Sequence, residues 1–294
     1  MKTIPTPKPR FRLGRRKALT GMAYAAIPLA GFLLFFAVPF VISIVRSFQS
    51  GLTQQFTGLE NYISVANSES FRLAAANTFH FIVMGVPSII LFSLLLALAL
   101  DQKIIGHSFF RTIFLTPYVI PVASTVMVFQ IVFEQSGILN SLCFQQLPVN
   151  FLHSDNAFYI LLLLYVWKNF GYNMILFLTG LSQIPNEYRE AARVDGAGPV
   201  RIFRSITLPL LGPTFFFVFV ISIVNSFKVF REAYALGGAY PHSSIYMLQH
   251  FMNNNFQNLN YQRLSTASIY VFLVIALVVL ALFLHRHRKG SVQL

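Results

Sequence analysis

The sequence predicts an all-α integral membrane protein with six transmembrane helices and a two-helix cytoplasmic loop between the fourth and fifth. Three observations predict it. Of 294 residues, 55% are hydrophobic and only 11% are charged, against about 25% charged in a soluble domain. The apolar residues gather in six long stretches with almost no charge. The basic residues, in excess by 22 Lys and Arg to 9 Asp and Glu, collect on alternate connections. A soluble enzyme, a disordered chain and a disulfide scaffold are thereby excluded. The one cysteine, Cys143, has no partner for an internal bridge.

Crossing about 30 Å of hydrocarbon takes roughly 20 mostly apolar residues. Residues 19–45, 73–100, 112–133, 156–184, 206–229 and 264–284 meet that requirement. Four of these spans carry no charge, while the fourth holds Lys168 and the fifth ends on Lys228 and Val229. Lys228, close to the expected outer end, is read as snorkelling to the interface. Prolines 28, 39, 87, 117 and 121 fall inside spans, where neighbouring helices re-satisfy the freed backbone. Runs such as 89–100 lack the period-2 alternation of a membrane β-barrel. The first apolar run is far longer than a signal peptide's core, and no small-residue cleavage site follows it. It is expected to be a retained anchor behind a basic head, residues 1–18, with the transmembrane domain running over 19–294.

Orientation follows from Lys and Arg. Lys2, Lys8, Arg10, Arg12, Arg15, Arg16 and Lys17 precede the first span. Lys103, Arg111, Arg189, Arg193, Arg201, Arg204, Arg286, Arg288 and Lys289 fall on the same side, and only Arg46, Arg72, Arg231 and Arg263 on the other. The asymmetry places both termini in the cytoplasm, with a basic face toward anionic lipid headgroups. Topology accounts for the charge, so no nucleic-acid partner is expected.

The acids map to connections: Glu60, Glu69, Glu134, Asp155 and Glu232 outside, and Asp101, Glu187, Glu190 and Asp195 inside. Ion-coupled transporters commonly place carboxylates within the membrane, and none is expected here. A P-loop is absent, since Lys2 is the only lysine followed by Ser or Thr and no glycine precedes it. His285 and His287 sit in a basic tail without a metal-ligand pattern, and Ser88 and Ser93 have no adjacent base. These serines are expected to bond their own helix backbone. No catalytic residue, metal site or cofactor is expected on the chain, and a transport function would draw its energy from another subunit. A polytopic lipid-modifying enzyme is the competing reading from another class.

Residues 185–205 carry the clearest pattern. Pro185 can open a helix, Glu187 suits its N-terminus, and Gly196 sits at its C-terminal cap. Pro199 can start a second helix, in which Val200, Phe203 and Ile206 recur at helical spacing. Two short helices at a glycine turn form a knob with an apolar face and four arginines. Such a knob can dock another protein, or pack on the inner leaflet with its arginines on phosphates.

Within it, Glu190-Ala191-Ala192, Gly196 four residues on, and Ile206-x-Leu208-Pro209 reproduce the E-A-A motif. The chain thus resembles the permease subunits of binding-protein-dependent ABC importers, in particular the maltose-type carbohydrate branch. Asn77-Thr78, Phe110-Arg111-Thr112, Gly237-Gly238 and Pro241 support that branch, while Tyr240 stands where a glycine is frequent. The resemblance implies that Glu190, Ala191, Ala192 and Gly196 form the coupling element, inserted into a groove of a cytoplasmic ATPase. It further implies a second, different E-A-A permease, two ATPase subunits holding ATP and Mg, and an extracytoplasmic solute-binding protein. The setting would be a prokaryotic inner membrane. Amino acids, polyamines or phosphonates are the alternative solutes.

Polar residues inside spans line cavities or bridge helices. Tyr165, Lys168, Asn169, Tyr172 and Asn173 recur at three- and four-residue intervals on the fourth span, and Ser222, Asn225 and Ser226 on the fifth. Aromatic rings cover the C–H faces of a sugar, and amides bond its hydroxyls. The resemblance aligns Lys168, Asn169 and Tyr172 with the family's sugar-bearing helix, and Asn225, Ser226 and Val229 with the next. Interhelical bridging is the alternative for each, and Lys168 leaves neutral, acidic and phosphorylated sugars equally open.

Overall fold

The longest apolar runs fold into the longest helices. A computed structural model describes residues 15–51, 53–101, 106–144 and 148–290. Lys103 and the head up to residue 14, both assigned above to the cytoplasmic side, lie outside the described residues. Helix α1 (Arg15–Phe32) runs through a π-turn at Leu33–Ala37 into α2 (Val38–Ser47). Helices α3 (Glu60–Asn67) and α4 (Glu69–Asp101) follow. Next come α5 (His107–Val119), α6 (Val122–Phe133), α7 (Ile138–Cys143) and α8 (Ala157–Ser182). Helices α9 (Asn186–Val194) and α10 (Pro199–Ile202), a π-turn and α11 (Leu208–Leu210) lead to α12 (Gly212–Phe227) and α13 (Phe230–Gly237). Helices α14 (Leu248–Gln257) and α15 (Tyr261–Gly290) end the chain. Among the described residues there is no strand, only an isolated bridge between Gln49 and Phe56.

Among the described residues, six stretches are long and apolar enough to cross a membrane: Tyr24–Ser47, Glu69–Asp101, Val122–Cys143, Ala157–Ser182, Gly212–Gly237 and Tyr261–Ala281. The all-α, six-span architecture is therefore as expected, but two spans differ in construction. Residues 112–133 are not one helix. Ile120 and Pro121 are both extended, with ψ of 133° and 143°, because proline drives its predecessor out of the helical region and offers no N–H of its own. The flanking helices, of 13 and 12 residues, are about 20 and 18 Å long, so neither crosses the hydrocarbon alone.

The fifth span also breaks. Helix α12 stops at Phe227 and α13 carries the apolar stretch on to Gly237. Lys228 thus lies at the break between α12 and α13, where it is exposed. Glu232, assigned from sequence to a connection, lies inside this stretch and is buried. The expectation that no acid enters a span fails: Glu69, Asp101 and Glu134 also fall within these stretches, and Glu232 alone of the four is buried, because a partner charge on α8 makes its burial tolerable.

Helix α8 is the central element. Tyr165 of α8 packs on Phe81 of α4 with ring centroids 5.2 Å apart, and Ser93 Oγ donates to the Phe170 carbonyl at 3.0 Å. Ser93 therefore bonds across helices, whereas Ser88 bonds the Met84 carbonyl of its own helix as expected. Helix α5 crosses α8 at Gly171, where a Cβ would collide with the backbone carbonyl of Phe114. Phe177 of α8 meets Phe215 of α12 at 5.0 Å. Two apolar cores result, one around Phe81, Phe129, Leu161 and Tyr165, the other around Leu94, Met174, Phe177 and Leu211.

A second group joins α2, α3, α14 and α15. Phe40 packs on Phe272 at 4.8 Å, Tyr62 on Tyr270 at 5.5 Å and Phe71 on Phe251 at 5.3 Å. Asn77 and Thr78 pin the segment before α14: Asn77 Nδ2 donates to the carbonyls of Ser243 (2.6 Å) and Tyr246 (3.0 Å), and Thr78 Oγ1 accepts from Leu248 N–H (3.0 Å). On α14, His250 is fully buried; its Nδ1 accepts from Met247 N–H at 3.1 Å and its Nε2 has no partner.

Two outcomes follow from this packing. Gly171→Ala should force α5 off α8 and cost about 1–3 kcal/mol, read as a lower thermal midpoint in detergent. Gly212→Ala, where a Cβ meets open space, should leave the midpoint unchanged. Burial holds the His250 pKa down at about 4, from an ordinary 6.5. The unfolded chain then binds more protons between those values, so stability is full above pH 6.5 and declines as pH falls toward 4, by about 3 kcal/mol. His250→Gln should flatten that part of the stability–pH curve; an unchanged slope would count against the assignment.

Candidate functional site

The two helix breaks and the middle of α8 meet at one cavity of about 350 Å³. Tyr118, Ile120, Pro121 and Val122 line it from the α5–α6 break, and Asn225, Lys228, Val229, Arg231 and Glu232 from the α12–α13 break. Tyr165, Lys168 and Asn169 line it from α8. Unwound backbone within a membrane protein is tolerated where it is buried in protein or faces a polar cavity, and broken helices facing a shared site are a recurrent design in transporters.

Electrostatics organise the pocket. Lys168 Nζ donates to Glu232 Oε1 at 3.1 Å, with the two residues only 9% and 7% exposed. Neither charge could be buried alone at such a site without a penalty of several kcal/mol. Lys228 and Arg231 are exposed and have no ion-pair partner among the described residues. The lining therefore holds three cations and one carboxylate. Asn169 Nδ2 donates to the Tyr165 carbonyl at 2.8 Å, which leaves its oxygen free to accept.

Of the pathway residues expected from sequence, Tyr165, Lys168, Asn169, Asn225 and Val229 line this cavity. The other three are engaged elsewhere. Tyr172 stacks on Tyr118 at 5.0 Å, Asn173 Nδ2 donates to Ser222 Oγ at 2.9 Å, and Ser226 Oγ donates to the Ile223 carbonyl at 2.6 Å. Asn173 and Ser226 thus take the bridging or intrahelical bonds that were the alternative. Sequence reasoning missed Tyr118, Ile120, Pro121, Val122, Lys228, Arg231 and Glu232 as lining residues. The available signals were an Ile-Pro pair in mid-span and an Arg-Glu pair after an expected span end.

At the far end of α8 lies the loop. Helix α9 closes with Gly196 N–H bonding the Arg193 carbonyl (3.0 Å) and Ala197 N–H bonding the Ala192 carbonyl (2.9 Å). This paired cap requires a left-handed residue, and Gly196 supplies it with φ of +80°. Pro199 then opens α10. Glu190, Ala191 and Gly196 are exposed and Ala192 is half-buried. Ala191 and Ala192 face Ile206 and Pro209 across a cleft of about 420 Å³, so the two ends of the motif meet. Arg189 Nη1 donates to Asp101 Oδ2 at 2.7 Å, tying α9 to the end of α4. Among the described residues no group of three or more His, Cys, Asp or Glu is placed to hold a metal.

Residues 89–289 match the family of binding-protein-dependent transport system inner membrane components. The probable ABC transporter permease protein YesP of Bacillus subtilis (strain 168) is 33% identical over 284 residues, covering 92% of this chain and 91% of that one. The arabinooligosaccharides transport system permease protein AraP of the same strain is 33% identical over 216 residues, 70% of this chain and 68% of that one. A solved bacterial ABC transporter involved in import of the acidic polysaccharide alginate shares the fold, with a TM-score of 0.83 at 22% identity over 94% of this chain and 99% of that one. With its six apolar spans and its motif-bearing loop, the chain belongs to the family of binding-protein-dependent transport system inner membrane components, the multi-pass permeases of ABC transporters.

Proposed function

We propose that this permease forms half of the solute pathway of an ATP-driven sugar importer, pairing with a second, different E-A-A permease. The pocket at the two helix breaks carries the reading. It sets the rings of Tyr118 and Tyr165 beside the amides of Asn169 and Asn225, which matches the apolar faces and hydroxyl rim of a sugar. The oligo- and polysaccharides named for AraP and the alginate importer support the same solute class. A polyamine would be repelled by the surplus of cations at the pocket.

The α9–α10 element is the coupling loop on this reading, on the cytoplasmic side with both termini, as the Lys and Arg asymmetry favours. Val194, one helical turn from Glu190, is 88% exposed and Val200 on α10 is 70% exposed, giving the loop both apolar and charged surface suited to a groove on an ATPase. Two such ATPases would hold the ATP and Mg, and an extracytoplasmic binding protein would deliver the solute. Movement of α9 would reach α4 through the Arg189–Asp101 bond, and α4 packs along the helix that carries Lys168. The breaks beside the pocket are the places where backbone can adjust without a helix interior being disrupted.

The test is ATP-dependent saccharide uptake by proteoliposomes bearing the whole importer. Glu190→Lys reverses the charge that the family resemblance sets against basic groups of the ATPase, a change worth several kcal/mol at an interface. Uptake should fall more than about tenfold while the subunit still inserts. Gly196→Val, which cannot hold a positive φ, should do the same, and Gly196→Asn should retain more activity. Normal uptake by Glu190→Lys would refute the coupling role.

A further inference from the structure

Resting on the sugar-importer reading, we infer that the solute of this pocket is a negatively charged saccharide, bearing a carboxylate or a phosphate. Four ionised side chains line the cavity: Lys168, Lys228, Arg231 and Glu232. Glu232 and Lys168, both buried and 3.1 Å apart, neutralise each other. That leaves Lys228 and Arg231, exposed and without an ion-pair partner among the described residues. They lie one helical turn apart across the α12–α13 break, with Arg231 N–H donating to the Lys228 carbonyl at 3.3 Å, inside the Gly212–Gly237 apolar stretch.

Unpaired cations within an apolar stretch mark a pathway or a counter-charge. A neutral sugar brings no counter-charge for them, whereas its hydroxyls can be met by amides such as Asn169 and Asn225. A carboxylate or phosphate takes short charge-assisted bonds from an ammonium and two parallel bonds from a guanidinium. The two cations and the amides beside them divide the work between the charge and the hydroxyls of one solute.

The whole importer, reconstituted with its ATPases and binding protein, is offered labelled trigalacturonate, glucose 6-phosphate and maltotriose. Uptake of one anionic probe should exceed that of maltotriose at least about tenfold, and the two anions distinguish carboxylate from phosphate recognition. Lys228→Gln with Arg231→Gln should lower anion uptake by about tenfold or more. The charge-conserving pair Lys228→Arg with Arg231→Lys should retain it, which separates lost charge from lost folding. Uptake of maltotriose alone would overturn the inference and leave the sugar-importer reading standing. Transport of no saccharide would overturn both, and anion uptake indifferent to the double Gln variant would overturn the role of these two cations.

Discussion

A lysine ammonium and a glutamate carboxylate, 3.1 Å apart and shielded from water, hold the centre of this protein in shape. Each ion alone would carry a desolvation penalty of several kcal/mol, so each is the condition for the other's charge. The pair fastens α13 to α8, and with α13 come Ala233 and Leu236, which complete the core around Tyr165 and Phe158. Helix α12 ends at Phe227, so Lys228 at the break and Glu232 on α13 both reach the cavity that Lys168 lines.

The opposite wall depends on sterics rather than charge. Gly171 lets the α5 backbone pass against α8, and Tyr118 stacks on Tyr172 at 5.0 Å just before Ile120 and Pro121 end the helix. The cavity lies between the continuous helix α8 and the two helix pairs interrupted on either side of it. The loop end is built the other way. A glycine cap, a proline start and the Arg189–Asp101 bond make α9 and α10 a compact unit attached to α4.

What the sequence revealed follows from the range of the interactions involved. Hydropathy reports burial in lipid residue by residue, so six spans were legible. The loop was legible because Pro185, Gly196 and Pro199 act on their own backbone. The helix breaks were not. Pro87 and Pro117 remain inside helices while the backbone opens at Pro121, so a proline within an apolar run does not by itself mark a break. Burial of Glu232 was hidden because its partner is 64 residues away. The polar face of α8 was correct as a stripe, yet the stripe is wider than the cavity, so Asn173 turns to Ser222 and Tyr172 to Tyr118.

Charge reversal tests the account most directly. Lys168→Glu and Glu232→Lys each bury two like charges, which should cost at least about 3–5 kcal/mol and remove most of the folded subunit recovered as a monodisperse species in detergent. Combining them restores an opposite pair in the same place, and recovery should return to near the level of the unaltered chain. Single reversals that fold normally, or a double reversal that fails to rescue them, would contradict the claim that this ion pair organises the pocket.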